Sequence, residues 1–384
     1  MGRTLYTPEH DAFRRLTRSF FDKECAPHAA EWEARGLVDR EVWLKAGEIG
    51  LLGWEAPVEH GGTGIRDYRF NAIMTEEFIA SGSAGFGFAL HNDVLPSYLI
   101  DLTDAEQQAR WLPRWVTGET IGALAMTEPG AGSDLKSMRT SAVSDGDDYI
   151  VNGAKTYITN GILADIVVVA VKTDPEAGRR GISLLVIERG MAGFERGRKL
   201  DKIGKRGQDT GELFFDNVRV PKANRLGEEN EGFSYLMRGL ARERVACAVT
   251  ATALLDRAIV LTTDFVRGRE VFGEPLGAKQ NTRFRLADVA AIAFACRVLT
   301  DRAVGQLVDG TLTSEDAALT KLFVSERQWE AMDTCLQLFG GAGYMNEYEI
   351  ARLWRDSRVG RILGGSSEIM RHIISGSMDL AGPS

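Results

Sequence analysis

The hydrophobic period of this chain changes twice, and that double change limits the folds open to it more than any other feature of the sequence. Up to residue 120 the spacing is helical. Thr7-Pro8-Glu9 starts a helix through Phe13, Leu16 and Phe20, and Asp39 leads another through Trp43 and Leu51. Glu59-His60-Gly61-Gly62 and Thr63-Gly64 mark turns. Between 121 and 228 the period becomes that of strands. DIVVVAVK, GISLLVIE and ELFFDNVRV are β-branched or aromatic runs, and Asn152-Gly153 inside DYIVNGAKTYI predicts a hairpin. From 229 to 384 helical spacing returns in long stretches, 231–267 closing at Gly268, 283–309 at Asp309-Gly310 and 313–339 at Gly340-Gly341. The expected fold class is α+β, with an N-terminal helical domain (1–120), a middle antiparallel β-domain (121–228) and a C-terminal helical bundle (229–384).

At 384 residues the chain can bury a large core. Its formal net charge of −8, without long like-charge runs, argues against a nucleic-acid or anionic-membrane partner, which needs clustered Lys and Arg. Cys25, Cys247, Cys296 and Cys335 form no C-x-x-C, so neither a disulfide framework nor a zinc site is expected and a reducing compartment fits. His10, His28, His60, His91 and His372 never approach metal-ligand spacing, and no metal is expected. No apolar signal core opens the chain, and its apolar runs fall short of a membrane span. A cytoplasmic protein with no membrane span is the expectation. GSAGFG (82–87) and GGAGYM (340–345) do not spell G-x-G-x-x-G, and no G-x-x-x-x-G-K-[ST] is present, which argues against a Rossmann nicotinamide enzyme and a P-loop NTPase.

AMTEPGAGSD (125–134) presents hydroxyls at Thr127 and Ser133 and backbone N–H groups around Gly130 and Gly132, either a polar ligand lining or an ordinary loop between domains. Together with KTYITNG (155–161), REVFG (269–273), Gln280 in KQNTRF and QLFGGAGYMNEYEIARLWRD (337–356), it resembles the acyl-CoA dehydrogenase family, in order and over nearly the whole chain. The resemblance is closest to the long-chain and isovaleryl branches. It implies an FAD-dependent enzyme that removes an α-proton and a β-hydride from an acyl-CoA thioester, the cofactor lying between the sheet and the C-terminal helices. It also implies a homotetramer built as a dimer of dimers, with an electron-transfer flavoprotein as acceptor.

Carried over residue by residue, the resemblance has Met126, Thr127 and Ser133 meeting flavin or substrate, and Tyr157 and Thr159 against the isoalloxazine ring. Arg269, Phe272, Gln280, Gln337 and Gly341 match contacts to the pyrophosphate and adenosine of the neighbouring subunit's FAD. The residue types suit these tasks. An aromatic face shields a flavin, donors accept charge at its reduced edge, an arginine faces phosphate and a glycine permits close approach. Three alternatives stay open beside it: an oxygen-using flavoenzyme of the same fold, a dehydrogenase of acyl-carrier-protein thioesters, and a non-catalytic flavin-binding protein.

Many family members place the catalytic glutamate on the last loop, where this chain has Gly364. Glu368, four residues on, falls in the first turn of a helix that Ser366 or Ser367 can cap, and Ser366 and Glu368 are implied to meet FAD instead. Glu243 is the better candidate base. On a helix its neighbours are Gly239, Leu240, Ala246, Cys247 and Thr250, all small or apolar, and a carboxylate on such a face is costly to bury unless paired or functional. The long-chain and isovaleryl branches carry their base at this helix position with a Gly or Ala on the last loop, and Glu243 with Gly364 matches that pair. By the same resemblance Arg244 lies near the active carboxylate and stabilises its ionised form. Ser133, Arg244 and Gly364 are implied to touch substrate, Gly364 through its backbone N–H on the thioester carbonyl. The missing side chain at 364 is expected to leave room beside the α and β carbons for a branched or bulky acyl group.

Overall fold

In the computed structural model, which describes residues 3–378, helices precede and follow a single large sheet. The first group comprises α1 (Pro8–Glu24), α2 (Ala29–Arg35), α3 (Arg40–Glu48), α4 (Tyr68–Ala80), α5 (Pro96–Leu99) and α6 (Ala105–Val116). α1 begins at the anticipated Thr7-Pro8: the Thr7 amide donates to His10 Nδ1 at 3.2 Å, and His10 Nε2 lies 3.2 Å from Asp67. Leu51 is not part of the helix that Asp39 leads. α3 ends at Glu48, the chain turns through Gly50 at φ +75°, and Leu51 is buried beyond the turn.

The strands are β1 (Gly122–Ala125), β2 (Ser141–Asp145), β3 (Asp148–Thr159), β4 (Ile166–Lys172), β5 (Ile182–Glu188), β6 (Phe194–Lys199), β7 (Thr210–Pro221) and β8 (Arg225–Leu226), joined in the order β6-β7-β3-β2-β4-β5-β8 with β1 beside β4. β1 and β2 pair in parallel with β4, and the other ladders are antiparallel. The hairpin expected at Asn152-Gly153 is not there. β3 runs straight through both residues with a bulge against β7, and Gly153 has φ +147° at a point where a Cβ would come 2.6 Å from Thr140 Oγ1, so only glycine fits there. The hairpin lies one turn signal earlier, at Gly146-Asp147, where Asp145 pairs with Asp148 and Gly146 supplies φ +60°.

The last group is α7 (Gly232–Gly268), a small ribbon β9 (Glu270–Val271) with β10 (Glu274–Pro275), then α8 (Gln280–Val308), α9 (Ser314–Leu338), α10 (Glu349–Ser357) and α11 (Ser367–Ser377). α7 is about 55 Å long and packs on α9, α8 and α4. Contrary to the expectation from apolar runs, α7 is long and apolar enough to cross a membrane by length and composition. However, 56% of its most apolar window is buried inside the protein. Its apolar faces are shared among three packing partners, which is how a core helix reaches such hydropathy. Ala248, Ala251, Leu255 and Ala258 join Val289, Cys296, Val324 and Met332 in the bundle core, while the sheet packs Val168, Leu184 and Val186 against Leu112 and Trp115 of α6.

Candidate active site

Neither arginine beside Glu243 is solvated. Arg242 pairs with the buried Glu55, its Nη1 lying 3.1 Å from Oε2, and it stacks over the Tyr68 ring. Arg244 is 5% exposed and donates to Ser314 Oγ at 2.9 Å. The side chains on either side thus anchor α7 to other helices and leave Glu243 facing the interior. Its Oε1 is buried with no hydrogen-bond partner among the described residues, and burial pushes its pKa up to about 7 while Arg244 pulls the other way. The expected stabilisation by Arg244 has the right sign, but burial outweighs it. Such a carboxyl is a poised general base.

Gly364, in the loop before α11, packs against the same face of α7 one turn along, at Cys247. It has φ +63°, and a Cβ there would come 2.8 Å from Cys247 Sγ. Among the described residues Cys247 Sγ is the one atom within 4 Å of that point, so the sulfur takes up part of the space that the missing side chain leaves. The Gly364 N–H makes no hydrogen bond among the described residues, while buried Lys321 of α9 holds the next carbonyl, donating to Gly365 O at 2.7 Å. Ser366 caps α11 as anticipated, its Oγ accepting from Ile369 N. The Glu368 side chain is 79% exposed in the first helical turn, its pKa held down by its own amide and by Ser366. Glu368 is far too solvated to match the environment of Glu243.

The loop after β1 and the end of β3 come together. Thr156 N donates to Thr127 O at 3.0 Å, so Met126 and Thr127 lie alongside Tyr157 and Thr159. Lys155, fully buried, donates to Met126 O at 3.0 Å and to Glu128 Oε1 at 2.9 Å, while Glu128 accepts from the amides of Arg139 and Thr140. Sequence reasoning missed this pair. The available signal was a lysine in phase with the apolar Tyr149 and Val151 on the same strand. Tyr157 is 69% exposed and takes φ +60°, a strained conformation for a bulky residue that thrusts its ring outward from the sheet. Ser133 is exposed on the outer part of the same loop, where none of the described contacts joins it to Glu243.

Across the molecule a cleft of about 400 Å³ is lined by Phe265, Arg269, Phe339, Gly341 and Tyr348 among others. Phe265 and Phe339 stack with centroids 4.1 Å apart. The cleft unites Arg269 and Gly341, but Gln280 and Gln337 do not line it; both are exposed at helix ends. Phe272 is 98% exposed at φ +51°, projecting from the ribbon. The residues present fit a dinucleotide such as FAD in two parts. A strained exposed aromatic beside backbone carbonyls and hydroxyls suits a planar ring, and an aromatic-floored cleft with one arginine and a glycine suits an adenosine and pyrophosphate. Among the described residues no cluster of His, Cys, Asp and Glu could hold a metal.

Helices around a sheet, with an unpartnered glutamate oxygen inside the bundle and two ligand-shaped surfaces, define an α+β protein with a desolvated carboxyl on its longest helix. Residues 7–119, 123–218 and 230–378 match, in turn, the N-terminal, middle and C-terminal domains of acyl-CoA dehydrogenase. The mitochondrial long-chain specific acyl-CoA dehydrogenase of Sus scrofa is 44% identical over 97% of this chain and 87% of its own length. Isovaleryl-CoA dehydrogenase of Oryza sativa subsp. japonica is 38% identical over 96% and 91%. The crystal structure of acyl-CoA dehydrogenase from Geobacillus kaustophilus superimposes with a TM-score of 0.96 at 44% identity, covering 99% of this chain and all of that one. The chain belongs to the acyl-CoA dehydrogenase family and is an enzyme of that family.

Proposed function

We propose that the protein catalyses FAD-dependent α,β-dehydrogenation of an acyl-CoA thioester, with Glu243 as the base. The observation that carries this reading is the buried, unpartnered Oε1 of Glu243 one turn from Cys247, which touches the Gly364 loop. Bound FAD would supply the two-electron acceptor for the β-hydride. The chain's own groups do the rest. Glu243 Oε1 takes the α-proton, and the free Gly364 N–H donates to the thioester carbonyl, acidifying that proton; one such donor is typically worth about 3 kcal/mol. Met126, Thr127, Tyr157 and Thr159 orient the flavin ring, and Lys155 and Glu128 hold the loop that carries the first two. Arg269, Gly341 and the protruding Phe272 suit the far end of a cofactor bound chiefly by a second copy, consistent with a dimer-based homotetramer. An electron-transfer flavoprotein as acceptor and a cytoplasmic location complete the proposal. Anaerobic addition of acyl-CoA should bleach the flavin of the wild type and not that of Glu243→Gln at equal flavin content. Undiminished bleaching in the variant would place the base elsewhere.

A further inference from the structure

Tyr98 has no part in the reading above, yet its hydroxyl is aimed at the same point as the catalytic carboxyl. α5, a single turn, places Tyr98 with its side chain wholly buried, and its Oη has no hydrogen-bond partner among the described residues. A buried hydroxyl left without a partner is costly and rarely retained without a use. Glu243 Oε1 is in the same condition. The two converge over Gly239, one turn before Glu243 on α7: a Cβ there would come 2.9 Å from Tyr98 Oη and 3.9 Å from Glu243 Oε1. The absent side chain at 239 is therefore what lets a phenol from another helix approach the carboxyl. Burial, reinforced by the nearby Glu243 charge, holds the phenol far above its ordinary pKa, so it remains a proton donor at any working pH.

We infer that Tyr98 is a positioning residue for Glu243: its O–H, not hydrogen-bonded to the carboxyl in this structure but poised across Gly239 from it, donates to the carboxylate when Glu243 is ionised and holds it toward the substrate α-carbon. The inference rests on Glu243 being the base. A donor to the ionised form favours it, so Tyr98 keeps the base active at lower pH than burial alone would allow. Other groups share this space. Arg244 and Cys247 lie on α7 itself. Around Cys247 gather Asp93 from the π-helical turn 90–94, Lys321 from α9 and Lys205 from the loop before β7. Asp93 accepts from Asn71 Nδ2 at 2.7 Å, and burial pushes it up to about 7 as well, so it needs its own control.

The test is the pH dependence of kcat/KM for Tyr98→Phe holoenzyme, which loses only one oxygen from a packed ring. The acid limb should move up by about one pH unit, so activity falls about tenfold at pH 6, while at pH 9 it is nearly unchanged and KM and flavin content hold. Gly239→Ala, which keeps the phenol but wedges a methyl group between the two oxygens, should move the limb the same way, and alanine is well tolerated in a helix. Asp93→Asn should leave the wild-type limb in place. An unshifted limb in Tyr98→Phe, a limb that vanishes in Asp93→Asn, or a rise in KM alone would each overturn the inference, the last pointing to a substrate contact. Glu243→Gln run in parallel separates the two claims. If it is inactive while Tyr98→Phe is unshifted, only the role of Tyr98 fails; if it stays active, the assignment of the base fails first.

Discussion

The Cβ that Gly364 lacks would lie 2.8 Å from Cys247 Sγ, so the loop that packs against α7 one turn from Glu243 is shaped for glycine from two directions. One is contact with α7. The other is backbone, since φ +63° is a conformation other residues adopt at a cost of about 1–2 kcal/mol. Gly364→Ala should therefore lower stability by more than that backbone cost, and adding Cys247→Ala should recover the contact portion. The check is a double-mutant cycle on denaturant midpoints. Strict additivity would show that the sulfur does not press on the loop. A glutamate transplanted to 364 in a Glu243→Gln background should likewise restore more flavin bleaching with Cys247→Ala than without it.

Burial of Glu243 ties stability to pH, and the sign follows from proton binding. Burial raises its pKa from the ordinary 4.5 to about 7, so between those values the folded chain holds a proton that the unfolded chain releases. The stability linked to this proton is full below about 4.5 and is lost as pH rises through 7. Glu243→Gln removes the buried charge. It should raise the thermal midpoint at pH 8.5 by up to the equivalent of roughly 3 kcal/mol and change little at pH 5. Activity runs the opposite way, with kcat/KM of the wild type falling as pH drops below about 7.

Lys155 and Glu128 form a buried pair, 0% and 7% exposed, that clamps the Met126 carbonyl to β3. Lys155→Met strands the Glu128 carboxylate without its partner and should lose about 3–5 kcal/mol of stability, measured by urea unfolding. Adding Glu128→Gln removes the uncompensated charge and should recover much of that loss. Both variants should release flavin more readily than wild type in a dialysis assay, because the loop carrying Met126 and Thr127 is no longer held.

Arg269 lines the 400 Å³ cleft, whereas Gln280 and Gln337 do not. Loss of a hydrogen bond to a charged phosphate is worth about 1.5–3 kcal/mol, so Arg269→Ala should weaken FAD binding roughly 10- to 100-fold. Gln280→Ala and Gln337→Ala should weaken it much less. Flavin fluorescence on reconstitution of apoprotein measures all three, and equal effects would mean that the cleft is not the site that holds the phosphates.

The order of helices, sheet and helices was legible because period is local: a 3.6-residue or two-residue repeat is written in neighbouring positions. The limits of α7, α8 and α9 fell near their predicted ends for the same reason, and the i−4 and i+4 neighbours Gly239 and Cys247 of Glu243 follow from helical spacing alone. Local signals also misled where two competed, as at Asn152-Gly153, where a bulge against β7 prevailed over the hairpin that Gly146-Asp147 makes instead. What no local pattern carries is the meeting of residues far apart in the chain. Tyr98 reaching over Gly239, Cys247 closing on Gly364 and Lys155 reaching Glu128 all depend on how helices and strands pack. The sequence by itself determined the layers and which face of α7 holds the carboxylate. Only the tertiary structure decided that this carboxylate would be desolvated, because desolvation comes from side chains that other elements bring to it.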